Sequence, residues 1–281
     1  MQTIYNIKQN IKSALSDIYD KREIQSFIYI IFEHVLNYSK IDTVLNKKEE
    51  IEDETCEIIY SIIKRLEKEE PIQYILGETE FYDLIFNVNE STLIPRGETE
   101  ELVQLVINEN IDRDISILDI GTGSGCIAIS LAKNLERAKV SALDISEKAI
   151  ETAKENAEKN NVKVNFFLED ILNIKQKYEN YDIIVSNPPY ICNSEKKLMQ
   201  NNVLDYEPHT ALFVEDNDPL IFYRTIAIFA LDTLKEEGLL YFEINEALAK
   251  EMKEMLEEYS YKNIEIIKDI NERNRIVKAQ K

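Results

Sequence analysis

Apolar residues in the first quarter of the chain recur at three- and four-residue steps. Ile4, Ile7, Ile11, Leu15 and Ile18 form one amphipathic stripe about four turns long. Residues 24–37 are more thoroughly apolar, as expected of a helix buried between neighbours. Ile58, Ile59, Ile62, Ile63 and Leu66 repeat the pattern before a charged run at 67–70 and a stop at Pro71. Residues 1–75 therefore read as a small helical bundle. The pattern then changes: Phe81-Tyr82, Leu84, Phe86 and Val88 alternate, which suits a β-hairpin linker over 76–95, with Gly77 and Asn89-Glu90-Ser91 as its turns.

From residue 96 onward, short β-branched runs at 115–120, 139–143, 164–168, 182–186, 239–244 and 264–268 alternate with helical segments at 101–110, 127–135, 146–160, 219–235 and 246–258. Strand and helix in alternation predict an α/β domain over 96–281 with a doubly wound, mostly parallel sheet.

Composition narrows the function. The 281 residues are 44% hydrophobic, with 33 basic against 53 acidic residues and a formal net charge of −20. Such a field repels polyphosphate, so no stable binding of free nucleic acid is expected. No apolar run reaches membrane-spanning length and the N-terminus lacks a signal-peptide layout, so a cytoplasmic protein without membrane attachment is expected. Cys56, Cys126 and Cys192 are scattered and only His34 and His209 accompany them, so no metal site is expected.

Two loops carry the candidate chemistry. The first strand of the α/β domain runs into Gly121-Thr122-Gly123-Ser124-Gly125 ahead of a helix, a backbone that can turn tightly and approach a ligand. Cys126 follows, so the third glycine of the dinucleotide fingerprint is missing, and no lysine makes it a P-loop. The second strand ends on Asp144, where a carboxylate can take both hydroxyls of a ribose or cap the next helix. The third closes on Glu169-Asp170, within reach of an adenine amino group. The fourth strand, Ile183-Ile184-Val185-Ser186, is halted by Asn187-Pro188-Pro189-Tyr190. Neither proline can donate to a ladder, and each holds the preceding residue extended. The Asn187 side-chain carbonyl, the Pro188 backbone carbonyl and the Tyr190 ring suit a planar NH2 group, either an exocyclic base amine or a carboxamide nitrogen.

Together these features resemble class I S-adenosylmethionine-dependent methyltransferases and, more closely, the HemK/PrmC family of peptide chain release factor glutamine methyltransferases. The resemblance rests on PIQYILGETEFY, LIPRGETEELV, ILDIGTGSGCIAISLA, ALDIS followed by Ala149, Ala153 and Asn156, IVSNPPYI, and YEPHTAL at 206–212. It implies a Rossmann-like catalytic domain behind a helical substrate-docking domain. The cofactor's methionine part would lie over Gly121–Gly125, its ribose on Asp144 and its adenine beside Asp170 and Ile171. The substrate would be the glutamine of a Gly-Gly-Gln motif in release factors, its amide held by Asn187, Pro188, Pro189 and Tyr190. A ribosomal-protein glutamine is an alternative acceptor, and a flipped adenine in nucleic acid a more distant one. The chain departs from the family pattern at Gly97, where proline is usual, at Asn245, where glycine is usual, and at residues 269–275, whose turn lacks its glycine. These departures are expected to touch the sheet's rim. Arg96 is expected to pair with Glu98 or Glu100, and Glu207 and Pro208 to fix a loop over the site.

Overall fold

The computed structural model describes residues 1–174, 178 and 180–281. The chain divides into two compact units: Met1–Gly77 with Gln200–Tyr206, and Glu78–Met199 with Glu207–Lys281. In the first unit three helices, α1 (Ile4–Leu15), α2 (Lys21–Leu36) and α3 (Asp53–Leu66), enclose one core. The expected stripe supplies it through Ile4, Ile7, Ile11 and Leu15, all fully buried. Ile18 is an exception at 39% exposure. α1 has already ended, because Asp20 starts α2 by accepting the amides of Arg22 and Glu23 at 2.7 and 2.9 Å. The segment Gln200–Tyr206 joins this unit, with the Tyr206 hydroxyl donating to the Lys68 carbonyl at 3.0 Å.

The second unit is built on seven strands: β1 (Ser116–Ile120), β2 (Lys139–Asp144), β3 (Val164–Leu168), β4 (Tyr181–Ser186), β5 (Leu234–Glu243), β6 (Lys262–Lys268) and β7 (Asn274–Gln280). Their spatial order is β6-β7-β5-β4-β1-β2-β3. Strands β3, β2, β1, β4 and β5 pair in parallel, whereas β7 inserts antiparallel between β5 and β6. β7 was not expected from the sequence: Ile276-Val277 buries both faces at once, so the segment shows no clean alternation.

Both faces of the sheet are covered. Ile117, Ile183, Val185 and Tyr241 point to one side, against α4 (Gly97–Asn110) and α5 (Cys126–Asn134). Leu118, Ile120, Ile184, Leu240 and Phe242 point to the other, against α7 (Ile221–Thr233) and α8 (Ala249–Glu258). The helix α6 (Glu147–Lys159) follows β2. Burial on both faces explains why the strands read as continuous apolar runs.

The hairpin forms from Glu78–Phe81 and Leu84–Asn87 and belongs to the second unit, with Phe81 and Phe86 in the first of its two cores. Its turn is Tyr82-Asp83, both with positive φ of 50° and 58°, not Gly77 or residues 89–91. The twist of such a two-residue turn matches the strands, and the Glu100 carboxylate holds it by accepting the Tyr82 amide at 2.8 Å. Gly77, with φ of 77°, instead ends the short helix Ile72–Leu76. Among the described residues no helix is long and apolar enough to cross a membrane, and no group of His, Cys, Asp and Glu could hold a metal.

Candidate active site

β1 and β4 are neighbours from which the chain departs in opposite directions, so a crevice opens beyond their carboxyl ends. It is a cavity of about 350 Å³, walled by Gly121 and Gly123 after β1, Asp144 after β2, Glu169 to Leu172 after β3, and Asn187 to Pro189 after β4. That volume falls within the range of about 300–1,000 Å³ typical of small-molecule sites. Four strand ends that lie far apart in sequence thus converge on one wall.

The glycine loop is fastened from its own neighbourhood. The amides of Gly121 and Thr122 both donate to the Leu143 carbonyl, at 2.9 and 3.0 Å. Gly121 and Gly123 have φ of 75° and 55° with open space where a Cβ would stand, so their backbone is bare toward the cavity. Gly125 has a different task. A Cβ there would meet Ile129 at 2.8 Å and Ala153 at 3.1 Å, so this glycine lets α5 and α6 close up. Asn156, fully buried on α6, donates to the carbonyls of Ser124 and Asn87, both at 2.9 Å, and binds hairpin to loop. The Ala149, Ala153 and Asn156 pattern therefore has one physical account: Ala149 walls the cavity and the other two seat the loop.

Thr122, Ser124 and Gly125 stand behind the cavity wall. The Thr122 hydroxyl donates to Asp119 at 2.6 Å, and burial pushes the Asp119 carboxyl up to about 7. Asp144 accepts the Gly123 amide on one oxygen and the Ser146 amide on the other, both at 2.9 Å. The Ile145 amide also bonds this carboxylate, which, with about four lone-pair sites, keeps at least one to offer. α6 is capped by Ser146, whose hydroxyl accepts the Ala149 amide, which leaves Asp144 free of that duty. Burial raises its carboxyl above the ordinary value, against the pull of the backbone bonds. Among the described residues, Asp170 accepts the Leu172 amide at 2.9 Å. Bare backbone beside two carboxylates with spare lone pairs, flanked by Ile171 and Phe222, fits S-adenosylmethionine.

The turn after β4 is held by remote groups. Ser186, fully buried, donates to the Ile120 carbonyl at 2.7 Å and locks the ends of β4 and β1 together. Asn187 donates through Nδ2 to the Thr99 hydroxyl at 3.2 Å, and Thr99 donates to Glu243 at 2.6 Å. Among the described residues nothing bonds Asn187 Oδ1 or the Pro188 carbonyl. Tyr190 is outside the cavity wall: its ring packs on the second core and its hydroxyl donates to Glu243 at 3.2 Å. The expectation that Tyr190 packs against the substrate amide gives way to a role behind the turn.

Sequence reasoning missed Thr99 and Glu243, and no periodicity or motif spacing links them. Arg96 pairs with Glu207 at 2.5 Å, not with Glu98 or Glu100, and Glu207 also accepts the Ile94 amide at 3.3 Å. The 207–213 segment thereby roofs the cavity through Pro208, Thr210, Ala211 and Phe213. The C-terminal turn also reaches further than the rim. Its Arg275, held by Asp269 at 3.3 Å, shares a small cleft with Tyr190. Asn245, in place of glycine, caps the next helical turn by accepting the Ala247 amide at 3.0 Å. Cys126 is pushed up to about 12 by burial, so its thiol is inert.

Comparison with known proteins agrees with this construction. Residues 7–77 match the family described as PrmC N-terminal domain and residues 99–205 that described as Methyltransferase small domain. A methyltransferase from Pyrococcus furiosus has the same fold, with a TM-score of 0.51 at 20% identity over 70% of this chain and 88% of that one. The release factor glutamine methyltransferase of Flavobacterium psychrophilum is 50% identical over 98% of both chains. That of Bacteroides thetaiotaomicron is 45% identical over 96% of this chain and 98% of its own. With likeness of that degree running through both units, the chain belongs to the family of release factor glutamine methyltransferases.

Proposed function

We propose that this protein methylates the side-chain amide nitrogen of the glutamine in the Gly-Gly-Gln motif of release factors, in the cytoplasm where translation occurs. The observation that carries the reading is Asn187, tied through Nδ2 to Thr99 with Oδ1 unspent at the cavity wall. An amide nitrogen is a poor nucleophile because its lone pair is delocalised into the carbonyl. When bound, S-adenosylmethionine supplies a methyl group on a sulfonium, an electrophile whose leaving group is a neutral thioether.

The chain's own residues supply position and charge. Gly121 and Gly123 give the cofactor's methionine part bare backbone, Asp144 takes its ribose hydroxyls, and Asp170 and Ile171 flank its adenine. Asn187 Oδ1 and the Pro188 carbonyl each accept one N–H of the substrate amide, which fixes the plane of its nitrogen. The same two dipoles stabilise positive charge as it develops there. The surplus proton passes to water.

The test is methyl transfer from labelled S-adenosylmethionine to a purified release factor, beside a copy whose Gly-Gly-Gln glutamine is alanine. Ribosomal protein and nucleic acid run in parallel. Label confined to the unaltered factor is expected. Label on ribosomal protein or nucleic acid, with none on the factor, overturns the proposal.

A further inference from the structure

The side chains behind Asn187 form a hydrogen-bond chain whose direction one carboxylate dictates. Glu243 ends β5, is 1% exposed, and receives two hydroxyls: Thr99 on Oε2 at 2.6 Å and Tyr190 on Oε1 at 3.2 Å. The 2.6 Å contact lies within the range of a hydroxyl donating to an ionised carboxylate. A threonine hydroxyl owns a single proton. Once that proton is committed to Glu243, Thr99 can only accept from Asn187. The Asn187 amide must then turn its NH2 toward Thr99 and its oxygen toward the cavity.

With a protonated Glu243 the logic runs the other way. The carboxylic acid donates to Thr99, Thr99 is free to donate to Asn187 Oδ1, and the amide is stable rotated by half a turn. It then presents NH2 to the NH2 of a substrate, donor against donor. We propose that ionised Glu243, acting through Thr99, is the positioning residue that fixes which end of the Asn187 amide faces the substrate. This rests on the reading that Asn187 Oδ1 accepts the substrate amide.

The surroundings act on this buried carboxyl in opposite directions. Arg275 approaches Glu243 from β7 and favours its charge, while Asp269 holds that guanidinium in place. Glu98 opposes the charge from α4; Tyr190 and Cys126 also face the group, and the Tyr223 hydroxyl donates to the Glu243 carbonyl at 3.0 Å. Burial pushes the carboxyl above its ordinary value, and the Thr99, Arg275 and Tyr190 contacts pull it back.

The experiment uses full-length protein, a release factor and labelled S-adenosylmethionine, with kcat and KM measured from acid to neutral pH. Cofactor affinity by calorimetry and Tm are measured alongside. Thr99→Val is expected to lower kcat about tenfold to a hundredfold. KM for the factor and cofactor affinity should stay within about threefold of the original. Thr99→Ser, which keeps the hydroxyl, restores most of the rate.

In the unaltered protein kcat falls as acid protonates Glu243. In Glu243→Gln, whose amide can either donate or accept, kcat is depressed by a similar factor and that acid limb is lost. The two variants test the chain from opposite ends, so a folding defect in one, seen in Tm, leaves the other to decide. Unaltered kcat in Thr99→Val, or an acid limb in Glu243→Gln with the same midpoint as in the unaltered protein, while Asn187→Ala still collapses the rate, overturns the proposal alone. An unaltered rate in Asn187→Ala overturns the reading beneath it.

Discussion

The two loops that wall the cavity are built in opposite ways. The glycine loop after β1 is fastened within the consecutive β1-α5-β2-α6 segment, by the Leu143 carbonyl, the Asp144 carboxylate and the close approach of α6. The turn after β4 is held from afar: Thr99 is 88 residues from Asn187, and the Glu243 carboxylate behind it is 144 residues from Thr99. A loop held locally forms whenever its strands and helices form, and binding a common cofactor asks little more. A turn that must aim one amide oxygen at one nitrogen needs an outside reference, which the neighbouring strand and α4 provide. Affinity for cofactor and rate of transfer should therefore respond to different residues.

The largest expected effect separates the two loops most sharply. Asn187→Ala should cut kcat about a thousandfold or more while cofactor affinity stays within a few-fold, as an isotope transfer assay beside calorimetry will show. Equal losses in both would mean the turn also holds the cofactor and would erase the contrast. Gly125→Val probes the local loop from behind. Its φ of 84° and the Ile129 contact at 2.8 Å predict about 3 kcal/mol less stability, read from denaturant unfolding.

Asp144→Ala is the mirror of the first change. Losing a charged acceptor should weaken cofactor binding about tenfold to a hundredfold, with kcat at saturating cofactor moving far less. An unchanged dissociation constant would move the ribose contact elsewhere. The smallest effect concerns the first residue of α4. Gly97 has open space around it, and Arg96 before it is extended, with φ of −107° and ψ of 147°. Gly97→Pro should add about 0.4–1 kcal/mol by restricting the unfolded chain, with kcat unaltered. A fall in kcat there would show that α4, which carries Thr99, needs freedom at its start.

Much of this protein was legible residue by residue. The β-branched runs placed the strand ends, the two prolines marked where β4 stops, and the alternating glycines marked a bare backbone. These are short-range signals, because side-chain period and permitted φ are properties of a few consecutive residues. They sufficed to bring Gly121, Gly123, Asp144, Asp170, Ile171, Asn187, Pro188 and Pro189 to one wall, since parallel strands align their carboxyl ends.

Tertiary structure alone decided the partners. Nothing local distinguishes Thr99 from any threonine in the first turn of a helix, or Glu243 from any acid at the end of a strand. Their meeting depends on β5 lying beside β4, and Arg275 joins them only because β7 inserts antiparallel next to β5. The same holds for Arg96, which passes over Glu98 and Glu100 to reach Glu207, and for the Tyr82-Asp83 turn, which Glu100 holds. The sequence alone determined which groups could do chemistry and at which strand ends they stand. Strand order decided which buried group stands behind each of them, because that depends on which distant segments the sheet brings within hydrogen-bond reach.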